Sequence, residues 1–422
     1  MVLKGRFVAL AGFVLAALMV LTACGGGGGD GGEKQTSTGT PKANQSETKT
    51  VITIGNHTDL TGVASEGMKT VNMALKDLVR YYNEKGLIPG VELKVIEYDS
   101  QYNPSKDIPG YEWLKEKGAQ LIFTPTPPTG VSLKSRANAD HMPLFVCSLP
   151  ASEASPPGYV FCVGLVPEYE AYTFLKWLSE NDPDFPKNRP AKIGGAGWDD
   201  AYTPAFFKAA EKYCKAHPDQ FQWIGGYLTN FTFSWGSEAS ALKDADYVVP
   251  PGLMVNFAKQ YREAGGKGKI IAVDPYIAVS WKLVNESQVF PELDRSLVIR
   301  TSKWWTDEGE FLDLTKQILY TYHPESVKEV MTQGVGYLGI ANAYVVLETI
   351  RHTAETMGPE HFSPEALYEA AQSFSVMVDG VEQYSFSPTK RTAANYELFY
   401  EIRADREDMV RISDWYPMAF EP

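Results

Sequence analysis

The chain has 422 residues, 44% of them hydrophobic, and a formal net charge of −13. That length is too great for one ordinary core and suits two lobes of normal domain size. The acidic balance opposes phosphate backbones, so nucleic acid is excluded as an expected partner.

Lys4 and Arg6 precede an almost unbroken apolar run from Phe7 to Leu21, followed at once by Thr22-Ala23-Cys24. A basic start, a short apolar stretch and small residues before a cut describe a secretory signal peptide. The run is shorter than the roughly 20 residues a spanning helix needs. The cysteine directly after the small residues resembles the bacterial lipobox. That resemblance implies cleavage after residue 23, lipidation of Cys24 and a location on the periplasmic or extracellular face of the envelope. Residues 25–50 are rich in glycine, then in Ser, Thr, Gln, Lys and Asn, with no large apolar side chain. Such a segment cannot offset its ordering entropy, so residues 24–50 are expected to be the lipidated cysteine and a flexible tether. Its r.m.s. span is about 28 Å. No later apolar run reaches membrane-spanning length.

From Val51 onward, strands and helices alternate. Val51–Gly55 is β-branched. Met68, Val71, Leu75, Leu78, Val79 and Tyr82 recur at helical spacing. Strands are expected at 91–98, 120–124, 143–148 and 159–163, with helices between them. After Pro167 the pattern restarts, with helices at 169–181, 202–217 and 254–264, and strands at 191–197, 223–227, 245–249, 269–273 and 296–301. This alternation predicts an α/β protein with parallel sheets covered by helices on both faces. Two successive runs predict two doubly wound lobes. Ligands of such sheets sit beyond the carboxyl ends of the strands.

Several segments recur at the spacing of one known family. They are Leu60-Thr61-Gly62, Tyr82-Asn83-Glu84-Lys85-Gly86-Leu87, Glu92-Leu93-Lys94-Val95, Tyr98-Asp99 with Asn103-Pro104, Pro143-Leu144-Phe145-Val146-Cys147-Ser148, Trp198-Asp199-Asp200-Ala201-Tyr202 and Ala245-Asp246-Tyr247-Val248. The order resembles the leucine/isoleucine/valine-binding proteins, which are type I periplasmic binding proteins. The resemblance implies two lobes joined by a three-strand hinge: residues 51–165 plus 296–378, and 166–295 plus 379–422. It also implies a monomer that captures a small organic solute (an amino acid, a carboxylate or an aromatic acid) and delivers it to the permease subunits of an ABC importer, without cofactor, metal or catalysis. A ligand-sensing lipoprotein signalling to a membrane receptor would use the same fold and closure.

On the first lobe the resemblance places Thr124, Thr126, Thr129, Ser148, Leu149 and Ala151 at the cleft, where family members grip a carboxylate. Here that loop carries Pro125, Pro127 and Pro128, which lack backbone donors. On the second lobe Trp198, Tyr202, Asp274 and Tyr276 follow strand ends, with Asp274 in the place of an ammonium partner. Trp304 follows strand 296–301, and Trp235, Trp281 and Trp305 add aromatic area that would suit a flat or apolar ligand.

Enzyme signatures fail. Gly334, Gly336 and Gly339 match G-x-G-x-x-G but follow an expected helix, not a strand; the glycines are expected to ease the chain into the apolar helix from Tyr337. The six histidines show no metal-ligand spacing. In an exported chain a Cys147–Cys162 disulfide and a pair of small buried thiols are both open readings.

Overall fold

The structure is a computed structural model that describes residues 49–422. The expected signal peptide, Cys24 and the tether up to residue 48 lie outside the described residues. The tether was expected to run to Thr50, but Thr50 already opens the first strand, its N–H bonding the Gly90 carbonyl at 2.8 Å.

The first sheet is built from β1 (Thr50–Thr58), β2 (Val91–Asp99), β3 (Leu121–Thr124), β4 (Leu144–Ser148) and β5 (Val160–Leu165). Its order is β2-β1-β3-β4-β5, and every pairing is parallel. Helices α1 (Ser65–Lys85), α2 (Asp107–Glu116) and α3 (Pro127–Ala139) make the crossovers. Their apolar faces cover both sides of the inner strands, and β3 is buried at all four positions, while edge strand β2 is mostly half-buried.

The chain then crosses to a second sheet through α4 (Pro167–Asn181). There follow β6 (Ala191–Trp198), α5 (Thr203–Ala216), β7 (Phe221–Thr229), α6 (Gly236–Leu242), β8 (Tyr247–Val249), α7 (Met254–Glu263), β9 (Lys269–Val273), α8 (Asp274–Ser287), α9 (Phe290–Leu293) and β10 (Leu297–Arg300). Helices α10 (Glu310–Tyr322), α11 (Val327–Thr332), α12 (Ile340–Met357) and α13 (Pro364–Ala371) come next, and the hairpin β11 (Ser375–Val378) and β12 (Val381–Ser385) follows them. The chain ends with β13 (Tyr396–Arg403), β14 (Asp408–Arg411) and β15 (Tyr416–Pro417). The second sheet runs β14-β13-β10-β9-β8-β6-β7, with β15 beside β13. Its centre is parallel, and β13 joins β10 antiparallel.

α12 returns to the first lobe and locks there. The Tyr82 hydroxyl on α1 donates to Glu348 on α12, and the Tyr337 hydroxyl donates to Asp77 at 2.8 Å. Among the described residues no helix is long and apolar enough to cross a membrane.

Strand pairing moves two expected lobe boundaries. Residues 296–300 were expected in the first lobe, but β10 pairs parallel with β9 (Leu297↔Ile271) and antiparallel with β13. A strand buried at all four positions needs neighbours on both edges, and the second sheet supplies them. The second lobe was expected to resume at 379. Instead Arg391–Ala393 still bonds the first sheet, with Cys162 N–H to Arg391 O at 2.7 Å and Ala393 N–H to Cys162 O at 2.8 Å. The third crossing therefore falls just before β13.

Two glycines of the G-x-G-x-x-G match serve close packing. Gly334 has φ +88°, and a Cβ there would press on the Trp281 side chain, 2.8 Å from its Cβ and 3.0 Å from its ring. A Cβ on Gly336 would collide with Thr70 Oγ1. Gly336–Gly339 forms a short 3-10 turn that leads into α12, in line with the expectation.

Candidate functional site

The carboxyl end of β3 and the start of α3 form the first-lobe wall. Pro127 and Pro128 occupy the first helical positions of α3, where a helix would otherwise offer free N–H groups to an anion. Thr124, Thr126 and Thr129 are all buried, and their hydroxyls serve one another. Thr124 Oγ1 and Thr126 Oγ1 lie 2.9 Å apart, and Thr126 Oγ1 and Thr129 Oγ1 2.8 Å apart. Thr129 Oγ1 then donates to Asp107 Oδ1 at 3.1 Å. The next loop is occupied in the same way. Leu149 N–H bonds Leu165 O at 3.1 Å, and Ala151 N–H bonds the Glu168 carboxylate at 3.0 Å. Ser148 is buried at the end of β4. The backbone amide expected to meet a solute carboxylate is thus held by the protein's own carboxylate.

Behind this wall lies a residue the sequence reading missed. His57, near the end of β1, is fully buried, with Nε2 3.9 Å from Asp107 Oδ1 and its ring 5.4 Å from that of Tyr98. Burial holds its pKa below the usual imidazole value, against the opposing pull of Asp107. Cys147 and Cys162 are free thiols, and burial pushes the Cys162 thiol up to about 12.

The second-lobe wall is aromatic at its rim. Trp198, the last residue of β6, donates Nε1–H to the Thr232 carbonyl at 2.9 Å, which fixes its ring. Phe231 stacks on it at 4.2 Å and 14°, with Phe233 edge-on at 6.1 Å. Phe231 is 75% exposed, so one face of the stack is open. Deeper in, Tyr202 and Tyr276 meet at 5.8 Å in a T-shaped pair. The Tyr276 hydroxyl shares a hydrogen with Thr203 Oγ1 at 3.0 Å, and the Tyr202 hydroxyl donates to Glu170.

Asp274 departs from its expected role. It is the first residue of α8 and contacts Arg300, at the end of β10, at 2.6 Å. Arg300 is fully buried beneath the Trp304 ring, 4.9 Å from its centroid. The approach lies off the hydrogen-bonding direction, so Asp274 Oδ1 and Arg300 Nη1 form a charge contact without a hydrogen bond. Burial therefore outweighs the arginine and raises the Asp274 carboxyl to about 6. With Arg300 in place, Asp274 is not a free partner for a solute ammonium.

Trp304 is likewise not a cleft wall. It is 1% exposed, donates Nε1–H to Asp408 at 2.7 Å and packs edge-on to Trp281 at 5.1 Å. Trp235, Trp281 and Trp305 are also core residues, because inter-element packing buries large rings before a ligand can use them.

Two more missed residues flank this wall. Glu170, in the first turn of α4, and Glu397, in β13, are both fully buried. Glu170 Oε1 and both Glu397 oxygens lack hydrogen-bond partners. Burial first holds both carboxyls well above the usual range; the charge of Asp274 adds to it at both, and that of Glu170 at Glu397, against the lowering pull of the Tyr202 hydroxyl on Glu170 and of Thr173 on Glu397. One signal was available: in Tyr396-Glu397-Leu398-Phe399, Glu397 shares its strand face with buried Phe399.

Residues 51–407 match the family model described as periplasmic binding protein. The chain belongs to that family. As a periplasmic binding protein of type I fold, it resembles several solved structures. The branched-chain amino acid ABC transporter protein of Thermus thermophilus, with bound valine, shares 18% identity over 88% of this chain and 97% of its own, with a TM-score of 0.72. A fatty acid ABC transporter substrate-binding protein from Thermomonospora curvata matches at 16% identity, 87% and 92% coverage and a TM-score of 0.69. A solute binding protein of an ABC transporter from R. palustris, in complex with benzoate, matches at 13%, 87% and 97%, and 0.68. No curated protein sequence matches this chain. The family works outside the cytoplasm and binds small solutes for transport.

Proposed function

We propose that this periplasmic binding protein is the extracytoplasmic receptor of an ABC importer, anchored through Cys24 and a tether, that closes its lobes on a small organic solute and delivers it as a monomer to membrane permease subunits. The observation that carries this reading is two sheets with parallel cores, one per lobe, with an aromatic stack fixed at the carboxyl end of β6 in the second. Solved neighbours that hold valine and benzoate support the class of solute in a general way. The open face of Phe231 favours a solute with a flat or apolar body. Amino-acid capture in the family manner meets two obstacles, since Ala151 N–H and Asp274 already have protein partners.

A thermal-shift screen tests the proposal. Protein freed of carried-over solute is heated with amino acids, short carboxylates, aromatic acids, amides and amines. A solute that binds only the folded state raises Tm by mass action. A shift that saturates with dose supports solute capture. No shift at millimolar concentration across the panel refutes it for these classes.

A further inference from the structure

We infer that the root of the cleft, at Glu170 and Glu397, is a subsite for a cationic nitrogen, so that the solute is an organic amine or amidine. This narrows the proposed function and rests on it. Each carboxyl stands beside a crossing between the lobes. Glu170 follows the first crossing by one helical turn, and Glu397 opens β13, where Leu398 pairs with Arg300 at the carboxyl end of β10. Both therefore sit at the ligand end of the second sheet. The titratable groups facing them from neighbouring elements are Cys162 from β5, Tyr202 from α5, and Asp274 and Tyr276 from α8. Of these three acids, Asp274 alone has a salt-bridge partner among the described residues, Arg300.

Three oxygens of this pair have no donor, and both residues are fully buried. A buried carboxylate without partners is costly, so the fold favours the neutral form of the pair. An ammonium or amidinium group supplies the missing donors and positive charge. It takes the place of a proton, which leaves to water, and no bond of the solute forms or breaks. The opposite wall agrees, because its anion-holding groups are filled: Glu168 holds Ala151 N–H, and Pro127 and Pro128 blunt α3. Exposed Asp199 and Asp200 at the rim add field of the sign that draws cations in.

Calorimetric titration of the full mature chain tests this, using tyramine and agmatine against 3-(4-hydroxyphenyl)propionate and valine, in phosphate and in Tris. At least one amine is expected to bind, to release protons (seen as different heats in the two buffers), and to bind more tightly as pH rises from about 5 to about 8. Glu170→Gln and Glu397→Gln should each weaken it by about tenfold or more and remove the proton release. Melting of the empty variants checks that they fold, and either variant alone suffices if the other does not. Binding of propionate or valine with both amines silent overturns the cation subsite and leaves the importer reading standing. Amine binding without proton release, or unchanged in both variants, also overturns it. Silence of all four probes, together with an empty thermal screen, counts against both.

Discussion

The Asp274–Arg300 contact decides whether Asp274 serves the fold or the solute. Arg300 is fully buried and the Asp274 side chain nearly so, at 0% and 7% exposure. Replacing Arg300 by Met keeps the apolar stem under Trp304 but leaves a buried acid unpaired. Breaking one side of such a pair costs about 3–5 kcal/mol. Asp274→Asn mimics the neutral carboxyl that burial favours, so it should match the parent below about pH 4 and be no less stable than it at pH 8. The double variant has no stranded charge and should return to within about 1–2 kcal/mol of the parent. The wild type carries a pH signature as well. The folded carboxyl titrates at about 6, against about 3.9 when unfolded. The unfolded chain ionises first, so the group's contribution is fully present below about pH 4 and is lost as pH rises through about 6. A gap of about two pH units at about 1.4 kcal/mol each sets the loss at about 3 kcal/mol. Asp274→Asn removes that slope. Urea unfolding followed by tryptophan fluorescence at pH 4, 6 and 8 reads all of these quantities. A loss under about 1 kcal/mol for Arg300→Met, with no recovery in the double, would refute the structural reading and return Asp274 to the solute.

Three further outcomes are expected. Phe231→Ser should leave the urea midpoint within about 0.5 kcal/mol of the parent, because the ring is exposed, yet weaken a flat solute found in the thermal screen by about tenfold. Gly110→Ala should destabilise by about 1–3 kcal/mol in the same unfolding assay. Its methyl would collide with the Tyr98 ring and lie 2.6 Å from His57 Nε2. Cys147, Cys162 and Cys214 should resist a thiol reagent at pH 8 in native protein and react once it is unfolded, since burial pushes the Cys162 and Cys214 thiols up to about 12.

Much of the architecture was legible because it depends on local periodicity. The spacing of Leu75, Leu78, Val79 and Tyr82 marks the buried face of α1, and the β-branched run at Val51 marks β1. α6 escaped notice because Gly236–Leu242 is only seven residues long and lacks a clear apolar period. α8 was not expected after strand 269–273, although Pro275 in the first helical turn is compatible with a start there. The lobe boundary before β10 was misplaced because an apolar strand is the same sequence signal in either sheet; only its pairing with β9 and β13 assigns it.

The cleft divides along the same line. Sequence order put Thr124, Ser148, Trp198, Tyr202 and Asp274 after strands, and a parallel sheet brings such positions to one end. Whether each group is free to meet a solute depends on partners far away in the chain. Asp274 is taken by Arg300, 26 positions on, Ala151 N–H by Glu168, and the Trp304 ring by core packing with Trp281. Glu170 and Glu397 acquire meaning only together, since neither helix α4 nor strand β13 alone reveals that the other carboxyl is buried beside it. The sequence by itself therefore determined the family, much of the strand–helix order and which residues stand at strand ends, because periodicity and spacing are local. Tertiary structure alone decided which of those groups remain unpaired there, because burial and charge pairing are set between segments far apart in the chain.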